Sequence, residues 1–361
     1  MTQSTVAAPE ATSPAEGSTM LVGVMTGPGG IEVQEIEIPS PRVNEVLVRI
    51  RATAICTWEQ RSFSGQQSNK FPFVGGHESA GEIVALGPGV SDEFHLGDHV
   101  TIGSAACGQC HWCRTGRDRM CKQHYAGAVK YGEAWGPGGF AQYKAHPASG
   151  IYPIDPSISF AEASLAEPLS CALHAARQIP VRISDDAVVI GAGVMGLMNV
   201  IALKKHGARV IVSEIDADRL AKAKQLGADV TIDASVEDPV ARVKELTGGR
   251  GVEHVITAIG SGKANEQATA MLSDRGRLVL FASAHPVTPL ELDPNQTHNR
   301  ETGVVGSLSS EQYDFHVANR LIGLRQIDLS PLIEQSFPLT ELAAALDASI
   351  QPGTYRIIVT P

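Results

Sequence analysis

No apolar run in this 361-residue chain approaches the ~18 residues that a membrane-crossing helix needs. Residues 1–19 lack both a basic start and an apolar centre, which excludes a secretory signal; their Ala, Ser, Thr, Pro and Glu content predicts a disordered tail. Positive charge is short as well. Against 39 Asp and Glu there are 29 Lys and Arg, a formal charge of −10, which excludes nucleic acid and an anionic membrane surface as the main partners. Internal repeats are missing, and low complexity is confined to the tail. Of six cysteines only Cys56 and Cys171 lie outside a short stretch holding Cys107, Cys110, Cys113 and Cys121. Such crowding is poor geometry for two unstrained disulfides and good geometry for wrapping one metal, and it predicts a reducing, cytoplasmic setting. What remains, 43% hydrophobic and 19% charged residues, is the composition of a globular chain long enough for two or three domains.

From Met20 to about Ala148, short strands broken by Gly and Pro predict an all-β, barrel-like unit: LVGVM, EVLVRIRATAI, AGEIVAL and DHVTI are its clearest members. The period then changes. Residues 160–178 have helical spacing, and AVVIGAG (187–193) is an apolar strand running into glycine. Further apolar strands at 209–215, 229–233, 254–259, 277–282 and 303–308 alternate with helical segments, which predicts βαβ units on a parallel sheet. The expected organisation is a tail (1–19), a catalytic domain (20–175, continued by 316–361) and a doubly wound, dinucleotide-binding α/β domain (176–315).

Gly191-Ala192-Gly193-Val194-Met195-Gly196 is a G-x-G-x-x-G that follows a strand and opens a helix. The first glycine permits a tight turn, the second a close approach to pyrophosphate and the third close helix–strand packing, while the helix N-terminus attracts the anion. Glu214 ends the next strand 18 residues after Gly196. A carboxylate there accepts from the ribose 2′- and 3′-hydroxyls and repels a 2′-phosphate, so NAD is favoured over NADP; Arg219 nearby softens that exclusion. The four-cysteine loop reads as a closed, structural zinc site; an iron–sulfur cluster is the competing reading, disfavoured by the seven-residue gap before Cys121 and the lack of a following Cys-Pro.

Cys56 closes the strand IRATAI, Gly76-His77-Glu78 precedes a strand, and Glu167 lies in a Glu-Pro-Leu-Ser turn. With the cysteine loop and the glycine turn, these residues resemble the zinc-containing medium-chain dehydrogenase/reductase family over nearly all of 20–361, and Glu167 to Ser170 looks like its polyol (sorbitol) and threonine dehydrogenase branch. The resemblance implies a GroES-like β-barrel catalytic domain beside a Rossmann domain, and two zinc ions per chain. Cys56, His77 and Glu167 would ligate or closely face a catalytic zinc, with Glu78 binding it directly or exchanging with water. It also implies a homodimer or homotetramer, with the stretch 299–307 as a sheet edge used in subunit contact. The chemistry fits: zinc as a Lewis acid makes an alkoxide available at neutral pH, and the alkoxide passes hydride to the nicotinamide. The expected substrate is a secondary alcohol or ketone of a small polyol, sugar, cyclitol or amino alcohol.

One departure stands out. Alcohol-oxidising members follow the zinc cysteine with Gly, then Ser or Thr, then Asp, and the hydroxyl relays the alcohol proton. Here Cys56 is followed by Thr57, Trp58 and Glu59. An indole accepts no proton. Glu59 retains the role of carboxylate partner to His77, and Thr57, Glu78 or a water would have to move the proton. Trp58 either packs in the core or projects into the substrate pocket, narrowing it or offering a flat face to a ring. Two other readings stay open: a reductase of an activated C=N or C=C bond, which needs no such relay, and a non-catalytic dinucleotide-binding protein. The loops at 60–72 and 123–137 are expected to shape the pocket. His146, His174, His254 and His298 read as loop or packing residues, and Cys171 as a buried small side chain.

Overall fold

The structure, a computed structural model, describes residues 13–15, 17–123, 129–284 and 286–361. Most of the predicted tail, and residues 124–128 of the loop at 123–137, therefore lie outside the described residues. Among the described residues no helix is long and apolar enough to cross a membrane. The chain forms two compact units, one running to Glu167 and resuming over Asn319–Pro361, the other being Pro168–Ala318.

The first unit is built on a seven-stranded, mostly antiparallel sheet. Its hydrogen-bonded order is Ile333–Pro338, Arg356–Thr360, Glu45–Ala54, Glu78–Leu86, His99–Ile102 and Ile151–Pro153, with Tyr143–Pro147 also pairing with Glu45–Ala54. Alternation drives this: Val46, Val48 and Ile50 point to one side and meet Ile83, Val100, Ile102 and Ile151 in a dry core. A second core gathers Met20, Val22 and Val24 of the hairpin Thr19–Gly27/Gly30–Glu37 with Phe73, Phe140, Leu342 and Val359. An uninterrupted run of strands is not what the structure shows between Met20 and Ala148. After Glu45–Ala54 the chain turns into the helix Thr57–Phe63, started by Glu59 accepting from the Cys56 N–H at 3.1 Å.

The second unit holds six parallel strands in the order Val230–Asp233, Arg209–Glu214, Asp186–Ile190, Val252–Thr257, Leu272–Leu280, Gly303–Gly306. Numbered along the unit this is 3-2-1-4-5-6, the dinucleotide-binding order. All five residues of Asp186–Ile190 are buried, as expected for a central strand covered on both faces. The α/β expectation therefore holds. The helical stretch 160–178 divides into Phe160–Ser164 and Ala166–Arg177, with Pro168 accommodated in the first turn of the second helix.

Candidate active site

Antiparallel pairing brings the end of one strand beside the start of the next. Ala54 lies opposite Glu78 and Thr53 opposite Ser79, so Cys56, just past the first strand, meets His77 and Glu78 at the head of the second. The approach is tight enough to require glycine: a Cβ on Gly76 (φ +85°) would sit 2.7 Å from the Thr53 methyl and 2.8 Å from the Phe140 nitrogen. One ligand-capable atom from each of Cys56, His77 and Glu78 falls within 4.8 Å of the others. Glu167 is outside this set, although its charge still acts on Glu78 and Arg356.

Glu59 is fully buried and organises one side of the group. Its carboxylate accepts from the Cys56 and Gly76 N–H groups at 3.1 and 2.9 Å, and one oxygen lies 3.0 Å from His77 Nδ1. Burial alone would raise the Glu59 pKa, but His77 and the backbone donors pull it below the ordinary carboxylate range. An ionised Glu59 accepts a hydrogen bond from Nδ1–H, which fixes the ring and leaves Nε2 as the nitrogen available to a metal. His77 is held well above its ordinary pKa: burial opposes this, but the charges of Glu59 and Cys56 outweigh it. Its side chain keeps 30% of its surface, so the group is open to a small molecule.

On the other side Glu78 and Arg356 are buried together, 0% and 3% exposed, with Oε1 and Nη2 2.7 Å apart. Arg356 also donates to the Ile55 carbonyl at 3.2 Å. Glu78 Oε2 is sealed from solvent with no hydrogen-bond partner among the described residues. Burial raises the Glu78 carboxyl to about 7, against the pull of Arg356 and with a further push from Glu167. Burial and the Glu78 charge likewise raise the Cys56 thiol. A thiolate, an imidazole and a carboxylate with an orphaned oxygen make a donor set that suits a divalent zinc ion. Arg356 escaped the sequence reading: only its position as a lone cation opening the apolar run RIIV marks it.

Thr57 is exposed at the first helical position, and Trp58 is half-buried. The Trp58 ring centroid lies 5.0 Å from that of Phe73 and 6.0 Å from that of His77, edge-on to the latter at 75°. It thus packs partly on the core and partly beside the histidine.

The four cysteines of the loop converge. Sulfur–sulfur distances are 3.5 Å for Cys110–Cys113, 3.8 Å for Cys107–Cys113 and 3.5 Å for Cys107–Cys121. Four thiolates around zinc at ~2.3 Å stand about 3.8 Å apart, so the cage fits one ion and has no room for a cluster. N–H groups of Gln109 and Cys110 lower the Cys107 thiol to about 6, towards the ligating form. A third group, His174, Glu311 and Asp314, already contains its cation. Arg177 bonds Asp314 at 2.7 Å and Glu311 at 2.5 Å, and His174 Nδ1 lies 2.7 Å from Asp314.

In the second unit Gly193 caps the helix Val194–Lys205, so Val194 and Met195 form its first turn. Gly191 has φ +96°, and a Cβ on Gly196 would lie 1.9 Å from the Gly191 carbonyl oxygen. The glycines therefore set both the turn and the closeness of helix to strand. Buried Glu214 ends its strand and accepts from Ala192 N–H at 2.7 Å, Ile215 N–H at 2.7 Å and, more weakly, Asp216 N–H at 3.3 Å. These bonds use three of its four acceptor positions, leaving one where the sequence suggested acceptance from two ribose hydroxyls. Arg219 is half-buried near the start of the next helix, its Nε unpartnered among the described residues.

Comparison with known proteins matches residues 42–156 to the alcohol dehydrogenase GroES-like domain and residues 194–323 to the zinc-binding dehydrogenase family. The chain is 29% identical to a sorbitol dehydrogenase of Halalkalibacterium halodurans, over 94% of this chain and 98% of the relative. It is 31% identical to an L-threonine 3-dehydrogenase of Pyrococcus horikoshii, covering 89% and 92%. Among solved structures, a zinc-binding dehydrogenase of Sinorhizobium meliloti 1021 bound to NADP superposes with a TM-score of 0.86 at 26% identity, over 95% of this chain and all of the other. Zinc and a nicotinamide dinucleotide are the cofactors that go with these matches, and the protein is an oxidoreductase. On the glycine turn, the two cysteine-bearing sites and the length of these alignments, the chain belongs to the zinc-containing medium-chain dehydrogenase/reductase family, in its polyol and threonine dehydrogenase branch.

Proposed function

We propose that the protein oxidises a secondary hydroxyl of a small polyol, sugar, cyclitol or amino alcohol with NAD as hydride acceptor, or runs the reverse reduction. The observation that carries this is the Cys56, His77 and Glu78 group with its orphaned Glu78 oxygen. Cys56 and His77 would hold a catalytic zinc with Glu78, Glu167 standing by, and Cys107, Cys110, Cys113 and Cys121 a structural one. Zinc bound at the first site supplies a Lewis acid that makes the alcohol acidic enough to lose its proton near neutral pH. Glu59 fixes the His77 ring so that Nε2 faces the metal position. Arg356 anchors one Glu78 oxygen and leaves the other without a hydrogen-bond partner among the described residues, free to bind a metal. Because Trp58 accepts no proton, the alcohol's proton leaves by the exposed Thr57 hydroxyl, by Glu78 or by water. Gly191, Gly193, Val194, Met195 and Gly196 would cradle the pyrophosphate, and Glu214 would discriminate against the 2′-phosphate of NADP, with Arg219 beside it.

The relatives are named for oxidising hydroxyl compounds, which favours this reading over reduction of an activated C=N or C=C bond. Assembly as a homodimer or homotetramer through the edge strand Gly303–Gly306, and residence in the cytoplasm, belong to the same proposal. Metal analysis with NADH formation across a panel of alcohols tests it. Two zinc ions per chain are expected, with NADH produced from at least one secondary alcohol. Cys56→Ala should retain one zinc, the fold and NADH binding while losing oxidation. One zinc in the unaltered protein, or silence across alcohols and ketones alike, refutes it.

A further inference from the structure

Trp58 stands two residues after Cys56 and touches His77, yet it is not a core side chain in full. Phe73 is buried, whereas Trp58 is only half-buried. Its indole N–H makes no hydrogen bond among the described residues. Elsewhere on its helix Thr57 is exposed, while the other polar side chains near the indole are engaged within the protein. Ser62 donates to the Trp58 carbonyl at 2.7 Å and Gln60 to the Ser349 carbonyl at 2.8 Å, Asn69 donates to Ser62, and the Glu59 carboxylate is engaged by His77 and two backbone donors. Behind the indole, Phe73 and Phe71 follow with centroids 5.3 Å apart. The side chain beside the candidate zinc group is therefore a half-buried indole backed by two further aromatic rings, with the Thr57 hydroxyl next to it in sequence.

We infer that Trp58 contacts the substrate and selects alcohols whose carbinol carbon belongs to a saturated six-membered ring, a cyclitol or ring-form sugar, over open-chain polyols. This rests on the alcohol-oxidising reading above and narrows it. A ring presents a flat face of C–H bonds, made slightly positive by neighbouring hydroxyls, which lies well on the electron-rich face of an indole. The indole N–H then donates to one ring oxygen. An open chain has no such face and must freeze several torsions to imitate one.

The test uses the zinc-loaded enzyme with NAD. kcat/KM is measured for ring alcohols (inositols, cyclohexane-1,2-diol) and open-chain ones (sorbitol, xylitol, butane-2,3-diol), for the unaltered protein, Trp58→Phe and Trp58→Ser. Zinc content and thermal melting establish that each variant folds. The unaltered enzyme should prefer rings; Trp58→Ser should cut that preference about tenfold or more, chiefly through KM, while Trp58→Phe keeps most of it. A second readout is independent of turnover: ring alcohols should change the tryptophan fluorescence of the zinc- and NADH-loaded protein, which has three tryptophans, and Trp58→Phe should abolish the change. A preference for open chains, or a ring preference unchanged in folded Trp58→Ser, overturns the inference and leaves the function standing. Fluorescence change without oxidation of any alcohol overturns the function and keeps the ring site; silence in both refutes both.

Discussion

Glu59 shows how much one buried side chain can decide. It joins the Cys56 turn, the Gly76 backbone and the His77 ring, so its loss frees the imidazole to rotate and removes the partner that fixes its tautomer. Glu59→Gln preserves shape but not charge; it should weaken zinc binding at Cys56 and His77 by about 10- to 100-fold, read by competition with a chromophoric chelator, with the four-cysteine site unaffected. Lys144 is a different case. It is buried in the sheet of the first unit, and burial lowers its pKa from 10.5 to about 7. Below pH 7 the ammonium is charged in folded and unfolded chains alike, and the fold bears the full desolvation cost. Between pH 7 and 10.5 the folded chain gives up the proton first, and the cost fades. Lys144→Met should therefore raise stability by on the order of a few kcal/mol below pH 7, with the difference closing towards pH 10 in urea unfolding.

The glycine turn is a local device, and local devices were legible. Gly191 to Gly196 could be recognised because turn, glycines and helix start are contiguous, and the cysteine loop because its four ligands lie within one short stretch. Gly196→Ala would drive a methyl into the Gly191 carbonyl, pushing the helix Val194–Lys205 from its strand. NADH affinity, measured by fluorescence titration, should fall about tenfold or more with both zinc ions retained. The helix Thr57–Phe63 was not legible, since TWEQRSF has little apolar periodicity and is started by one carboxylate folding back on Cys56. The division of residues 160–178 into two helices was hidden for a similar reason: both halves share one helical pattern. Glu214 was found at its strand end, but its bonds to Ala192 and Ile215 depend on how two loops pack, which no spacing encodes.

Across the whole chain, the pairing of Glu78 with Arg356 joins residues 278 positions apart. No motif could foretell it, because each partner is unremarkable in its own neighbourhood. Removing the cation strands a carboxylate in a dry interior. Arg356→Met should cost about 3–5 kcal/mol in urea unfolding of the chelator-treated protein, and less with zinc present, since the ion takes over part of the neutralisation. The strand that carries Arg356 docks through Val359 and Ile358 on Thr53 and Ala54, beside Cys56. As the polypeptide leaves the ribosome, Cys56, His77 and Glu78 emerge early, and the whole parallel-sheet unit is made before their guanidinium counterpart appears. In the order of synthesis the cysteine loop therefore has all four thiols by residue 121, whereas Glu78 waits a further 278 residues for the guanidinium that holds one of its oxygens, so the two metal sites are completed at widely separated stages of chain growth.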